Sequence, residues 1–383
     1  MQKFLQKIGY TRLLLVLWII LPVVSAVKQV STNSHNNYLI FKHVFINTLN
    51  NHPLYQRQPE YFLDNNHYGP FFGLFFAPFA LLPDMAGAVL WALFNSLMLF
   101  WAIWKLPLTV KQRNLILLIS THELITSLLN LQINPFTTAL VIFTYIFAIK
   151  HKEILAGLMI AIGFLIKLYG IVGFAFILFA RRYVVFVVSF AAFTVLLALL
   201  PLFISSWTFQ LEGYHDWAAA LSRKNGLNLT STMQNVSVMG LIQRNIYPDA
   251  PTAYILGVGL ILMSAMVLLN FKQLSNDRYR MLLLAAVLLF AVLFSTGSES
   301  ATYIIAFVGV AIWYVTKPQK NAWDHFLLIF ALVLTSLSPT DLFPAEARTF
   351  IREHRLKALP CLLVWLEVLR ESYFLKRPAT VNE

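Results

Sequence analysis

The residues of this sequence that could do chemistry are few, and most of them fall just outside its long apolar runs. A carboxylate can take a proton from a hydroxyl, and Asp64, Glu60 and Asp216 are acids of the long polar stretches available for such a role. Asp64 also reads as a turn residue in Leu63-Asp64-Asn65-Asn66, and Glu60 and Asp216 as solvated loop acids. Lys167 interrupts a strongly apolar stretch. A lysine there is costly unless it snorkels to the head groups or meets a partner such as a phosphate, for which the ammonium is a compact point charge. Arg244 offers a bidentate fork to the same kind of anion, or is a solvated loop side chain. His67 and Tyr68 could shape a sugar pocket, or be interfacial aromatics of the kind any membrane protein carries.

Other constellations fail on inspection. There is no glycine-rich phosphate loop, and His122-Glu123 lacks the second histidine that a zinc-binding helix needs. Ser298 lacks the glycine spacing of a nucleophile elbow. With Cys361 the sole cysteine, neither an intrachain disulfide nor a cysteine-based metal site can form. The sequence therefore predicts no metal, no cofactor and no nucleotide-dependent step. Asn228-Leu229-Thr230 and Asn235-Val236-Ser237 match glycosylation acceptors, read here as chance matches.

The elements that must position these residues are membrane helices. A chain of 383 residues that is 58% hydrophobic and 12% charged is no ordinary soluble protein. Its apolar stretches have spanning length, and a run such as 255–269 lacks the alternation of a transmembrane barrel. The expectation is an all-α polytopic membrane protein, one integral domain over 1–383. About twelve apolar segments support it: 13–27, 85–104, 114–130, 135–149, 154–166, 168–180, 183–204, 252–270, 280–295, 301–316, 322–338 and 358–370. The first is read as an uncleaved span although Val24-Ser25-Ala26 resembles a cleavage site. Segments 154–166 and 168–180 are short alone and too long together, which predicts a turn at Lys167-Leu168-Tyr169-Gly170. Residues 71–82, between Pro70 and Pro83, read as an interfacial or re-entrant element.

Orientation follows from the basic residues. With both termini cytoplasmic, most Lys and Arg fall inside, among them Lys3, Lys7, Lys105, Lys111, Arg181, Arg182, Lys317, Lys376 and Arg377. The net charge of +12 is thus a topological signal and not a nucleic-acid footprint. The stretch 339–357 is the exception, placing Arg348, Arg352 and Arg355 outside. Two long polar loops, 28–70 with interfacial helices and 205–251, share the outer face, as expected of an enzyme at the membrane surface.

In order along the chain, Asn36-Asn37-Tyr38-Leu39-Ile40-Phe41-Lys42, Asn50-Asn51-His52-Pro53-Leu54-Tyr55, His67-Tyr68-Gly69-Pro70, Leu82-Pro83, Gln132-Ile133-Asn134, Ile166-Lys167-Leu168-Tyr169, Asn235-Val236-Ser237-Val238-Met239-Gly240-Leu241 and Arg244 form a series. It resembles glycosyltransferase family 87, from the first span to about residue 245. The resemblance implies a bundle of the glycosyltransferase C type, with a catalytic acid in the first outer loop above a lipid-facing groove. It implies substrate contacts at Lys167, Arg244, His67, Tyr68, Gln132, Asn134 and Asn235. At the position of the loop aspartate this sequence has Asn36 or Asn37, and an amide cannot take a proton from a hydroxyl. Asp64, in the same loop, is the first choice for the missing acid.

The activity this implies is movement of a hexose such as mannose from a polyprenol-phosphate donor to a glycan or lipid acceptor. It would act on the non-cytoplasmic face of a cell membrane, in a bacterium the inner one, among membrane lipids and without nucleic acid. The alternative is a flippase or exporter of a lipid-linked glycan, using the same groove without an acid.

Overall fold

The computed structural model describes residues 9–231 and 233–375, so Lys3, Lys7, Lys376 and Arg377 lie outside the described residues. The described residues form helices joined by turns, with no strand among them. The chain groups into two compact units, one of residues up to Leu117 with Leu124–Leu227, the other of Leu118–Glu123 with the residues from Asn228 on.

In the first unit, α1 (Tyr10–Ser31) is followed by α2 (Asn36–Leu49), inside the stretch read as the first outer loop. After a turn-rich segment come α3 (Pro70–Ala80) and α4 (Asp84–Trp104). Pro70 sits at the first position of α3, where its missing N–H is no loss. Next is α5 (Val110–Leu128), opened by a capping box between Thr109 and Gln112. Then α6 (Asn134–Ile149) is buried along nearly its whole length and forms the centre of the unit. The expected turn at residue 167 is present. α7 (Glu153–Lys167) ends at Leu168, whose φ of 50° reverses the chain into a 3-10 helix over Tyr169–Phe179. The two limbs touch where both carry glycine: a Cβ on Gly170 would lie 2.6 Å from the carbonyl carbon of Gly163. α8 (Tyr183–Leu199) is mainly apolar, packs on α7 along one face and buries Phe186 alone, leaving its other face exposed as a helix facing lipid would. α9 (Trp207–Thr230) then runs through the stretch read as the second outer loop.

The second unit holds α10 (Val238–Asn245), α11 (Thr252–Leu269), α12 (Asp277–Leu293), α13 (Tyr303–Thr316), α14 (Ala322–Phe330), α15 (Ala345–Glu353) and α16 (Ala358–Phe374). Its core is α12 against α13, both buried almost throughout. One polar turn of α5 packs in this core: Glu123 is fully buried and receives Lys357 Nζ at 3.2 and 3.3 Å, while Ser300 Oγ accepts from the same ammonium at 2.9 Å.

The expected dozen spans is not matched by helix length. Among the described residues four helices are long and apolar enough to cross a bilayer by themselves: Tyr10–Ser31, Asp84–Trp104, Tyr183–Phe203 and Thr252–Leu269. Shorter apolar helices cover Pro70–Ala80, Asn134–Ile149, Tyr169–Phe179, Ser300–Thr316 and Ala322–Leu337. Turns cut these apolar runs below spanning length, and the last changes to a π-helix at Ala331. The chain is nonetheless an integral membrane protein, because its long apolar helices leave apolar side chains on their outer surface with no protein to cover them.

Candidate active site at the turn of α7

Lys167 stands at the tip of the α7 turn. Its ammonium donates to Asn134 Oδ1 at 3.1 Å and to Gln132 Oε1 at 3.5 Å, and lies 5.6 Å from the ring centre of Tyr169. The two amides are held by α4. Trp91 Nε1 donates to the carbonyl of Leu131 at 2.9 Å, Leu131 turns the chain with a φ of 47°, and Asn95 Oδ1 accepts from Phe136 N at 3.3 Å. Gln132 also meets Tyr68, whose hydroxyl lies 3.5 Å from Oε1. The structure therefore brings together four residues expected at a site from widely separated positions: Tyr68, Gln132, Asn134 and Lys167.

His67 is next to Tyr68 and is held from behind. Trp217 Nε1 donates to the His67 carbonyl at 3.0 Å, and Tyr55 Oη to the Tyr68 carbonyl at 2.9 Å. The chain can pass here because residue 69 is glycine: a Cβ would lie 2.6 Å from the Leu165 carbonyl oxygen and 3.1 Å from the Trp217 ring. Neither ring nitrogen of His67 has a hydrogen-bond partner among the described residues. Burial, with Lys224, Lys167 and Arg223 nearby and Asp64 opposing them, lowers its pKa to about 4. The imidazole is therefore neutral at physiological pH.

His67 lies on the wall of a cavity of about 620 Å³. Tyr55, Gln56 and Arg57 line one side of it, Asn65 and Asn66 another, and Asp216, Arg223 and Lys224 of α9 a third. Asp216 is the carboxylate on this wall. Asp64 is exposed in a bend, and its Oδ1 accepts from Asn65 N at 2.8 Å. Asn36 Oδ1 accepts from the backbone of Leu63, the residue before Asp64, at 2.7 Å. Asn37 Nδ2 donates to the Asn130 carbonyl at 2.8 Å. The amides at the expected aspartate position thus tie α2 to its surroundings, and that of Asn36 is bonded to the residue preceding an available acid. Glu60 is exposed in the same loop.

Two expected site residues belong to the second unit. Asn235 is buried, with Nδ2 donating to Gln243 Oε1 at 3.1 Å and Oδ1 accepting from Ser237 Oγ at 2.7 Å. Ser237 in turn caps α10 by accepting from Gly240 N. That motif builds a helix start and keeps its amide occupied. Arg244 is exposed at the end of α10, near Arg352 and Arg355, whose guanidinium pKa is lowered by burial and by these two neighbours. The basic stretch that stood out in the sequence is held at both ends of the 231–245 segment: Arg355 donates to the carbonyl of Ser231, just after α9, at 2.6 Å, and Asn245 Nδ2 of α10 donates to the His354 carbonyl at 2.9 Å.

Sequence reasoning missed two charged clusters, both in the second unit. One is the Glu123–Lys357 pair, invisible because its partners are far apart in the chain. In the other, Asp324, Glu367 and Glu371 place carboxylate oxygens within 4.8 Å of one another, a spacing a metal could use. Lys317 Nζ sits among them at 2.5, 3.5 and 2.6 Å, so a lysine supplies the positive charge.

The family model of glycosyltransferase family 87 matches residues 66–296. The match begins just before His67 and takes in Tyr68, Gln132, Asn134, Lys167, Asn235 and Arg244. No curated protein matches the sequence significantly.

Proposed function

The chain belongs to glycosyltransferase family 87 and is accordingly a membrane glycosyltransferase, and from that premise we propose that it moves a hexose, mannose in the first instance, from a polyprenol-phosphate donor to a glycan or lipid acceptor outside the cytoplasm. The observation that carries this reading is the placement of Lys167, whose ammonium is aimed by two amide oxygens at the end of a membrane helix hairpin. A lipid phosphate reaches that depth, and a positive charge already oriented there stabilises the charge that develops on the leaving phosphate. The acceptor hydroxyl attacks the anomeric carbon from the opposite side, the bond to the phosphate oxygen breaks, and the sugar is transferred with inversion. The hydroxyl proton passes to a carboxylate. Asp64 is assigned that role because Asn36, in place of the loop aspartate, is bonded to its neighbour Leu63. The leaving polyprenyl phosphate stays in the lipid.

Purified protein in lipid vesicles, incubated with polyprenol-phosphate mannose and a panel of glycan and lipid acceptors, should release polyprenyl phosphate and glycosylate an acceptor. Release with no glycosylated product would mean hydrolysis. Transbilayer movement of a lipid-linked glycan with neither product would favour the exporter, the second reading that the amides of Asn36 and Asn37 keep open.

A further inference from the structure

The cavity wall on α9 carries its chemistry on a single face. Asp216, Ala220, Arg223, Lys224 and Leu227 stand at positions i, i+4, i+7, i+8 and i+11, the spacing of one helix face, and all of them line the cavity. At the rise of an α-helix, Arg223 lies about 10 Å along the axis from Asp216. On α9 the carboxylate is therefore at one end and the two cations at the other, and Arg57 adds a third cation to the lining from the loop. Among the described residues none of these three cations is in an ion pair, and Asp216 has His215 at 3.5 Å. His67 lines the same cavity, with its ring nitrogens unsatisfied.

Three cations facing one carboxylate across a concave wall repel one another, and the field they make inside the cavity is strongest for an anion. Positive charge is also what the non-cytoplasmic side of a membrane protein ordinarily lacks, so chance placement explains it poorly. Head groups surround a protein laterally, whereas these side chains gather around one half-open cavity, with Arg57, Arg223 and Asp216 exposed and Lys224 half-buried. Lys167 and its two amides are not on this wall. If Lys167 takes the donor phosphate, the charge in the cavity is left for the other substrate.

We propose that this cavity receives the acceptor, and that the acceptor end it holds is anionic, a phosphorylated or carboxylated glycan selected by Arg57, Arg223 and Lys224. This rests on the transferase reading, but its first test needs no turnover. The full chain in discs of neutral phosphatidylcholine would be titrated with mannose 6-phosphate, glucuronate, methyl mannoside and inorganic phosphate, following the heat of binding by calorimetry. The expected result is binding of the two anionic sugars and not of methyl mannoside. The double variant Arg223→Gln, Lys224→Gln should weaken that binding about 10- to 100-fold, the loss of one or two charge-assisted contacts, while Lys167→Met leaves it in place. Equal binding of the neutral sugar would overturn the proposal. So would inorganic phosphate binding as tightly as the sugar phosphate, loss of binding on Lys167→Met alone, or displacement by phosphatidylglycerol added to the discs, which would mark a head-group site. In the transfer assay the double variant should raise the acceptor KM and leave kcat and the donor KM unchanged; a raised donor KM would assign the cations to the donor. Anion binding without transfer to any acceptor would sink the transferase reading and leave the anion site standing.

Discussion

At the scale of single residues, the proposed site divides its tasks between an acid, a cation and an imidazole. Removing a general base costs about 10²- to 10⁴-fold in rate, so Asp64→Asn should nearly abolish turnover with donor binding intact. Lys167→Met should weaken the donor instead, raising its KM. If Asp64→Asn turns over normally and Asp216→Asn does not, the base is the carboxylate on the cavity wall. Asn37→Asp puts an acid back at the loop position and should raise the rate if that position still faces the reacting hydroxyl. His67 carries a separate prediction. Its folded pKa of about 4 lies below the ordinary 6.5, so in acid the unfolded chain takes the proton first. Its contribution is full above pH 6.5 and is lost as pH falls from 6.5 to 4, about 2–3 kcal/mol in all. The Tm should drop over that window, and His67→Asn should flatten the drop; a wild-type profile as flat as the variant's would rule the assignment out.

Among the elements, those with a local signature were legible in the sequence and those made by distant contacts were not. The interruption at Lys167-Leu168-Tyr169-Gly170 showed as two apolar pieces of the wrong length, and the structure has a hairpin there. Residues 71–82, bracketed by prolines, read as a short element of their own, and α3 occupies Pro70–Ala80. Interfacial helices are expected in 28–70, where α2 lies, whereas 205–251, read as a loop, contains α9 and α10, whose mixed composition lacks the continuous apolar run by which spans are recognised. Gln132, Asn134, Tyr68 and Lys167 could be named singly, but their convergence depends on Trp91 holding the Leu131 carbonyl, a contact across 40 positions that no local pattern reports. The Glu123–Lys357 pair is of the same kind, and it is open to test. Breaking a buried pair from one side costs about 3–5 kcal/mol, whereas replacing both partners by apolar residues costs much less. Glu123→Leu and Lys357→Met should each shorten the thermal half-life sharply, and the double variant should recover most of the loss. Additive losses would mean that the two side chains act independently.

For the whole molecule the decisive quantity is which side of the membrane each end of a helix faces, because a donor bearing a lipid phosphate meets Lys167 only from the face to which that helix hairpin opens. The cavity, the α7 turn and the stretch 50–69 are all expected on the non-cytoplasmic side, and the connection between α4 and α5 on the cytoplasmic one. The structure supplies suitable reporters. Asn50 is exposed at the end of α2, Leu227 is 60% exposed near the end of α9, and Lys111 is exposed at the start of α5. Cys361 is buried and can be changed to serine to give a background with no thiol. In intact cells an impermeant maleimide should label Asn50→Cys and Leu227→Cys and leave Lys111→Cys unlabelled until the membrane is opened. Placing Leu227 and Lys111 on one side would break the topology, and with it the argument that nucleotide sugars cannot serve as donor. A site facing the cytoplasm would have nucleotide sugars within reach and no need of a lipid phosphate, so the same three thiols that fix the orientation also decide whether a membrane-borne donor is physically required.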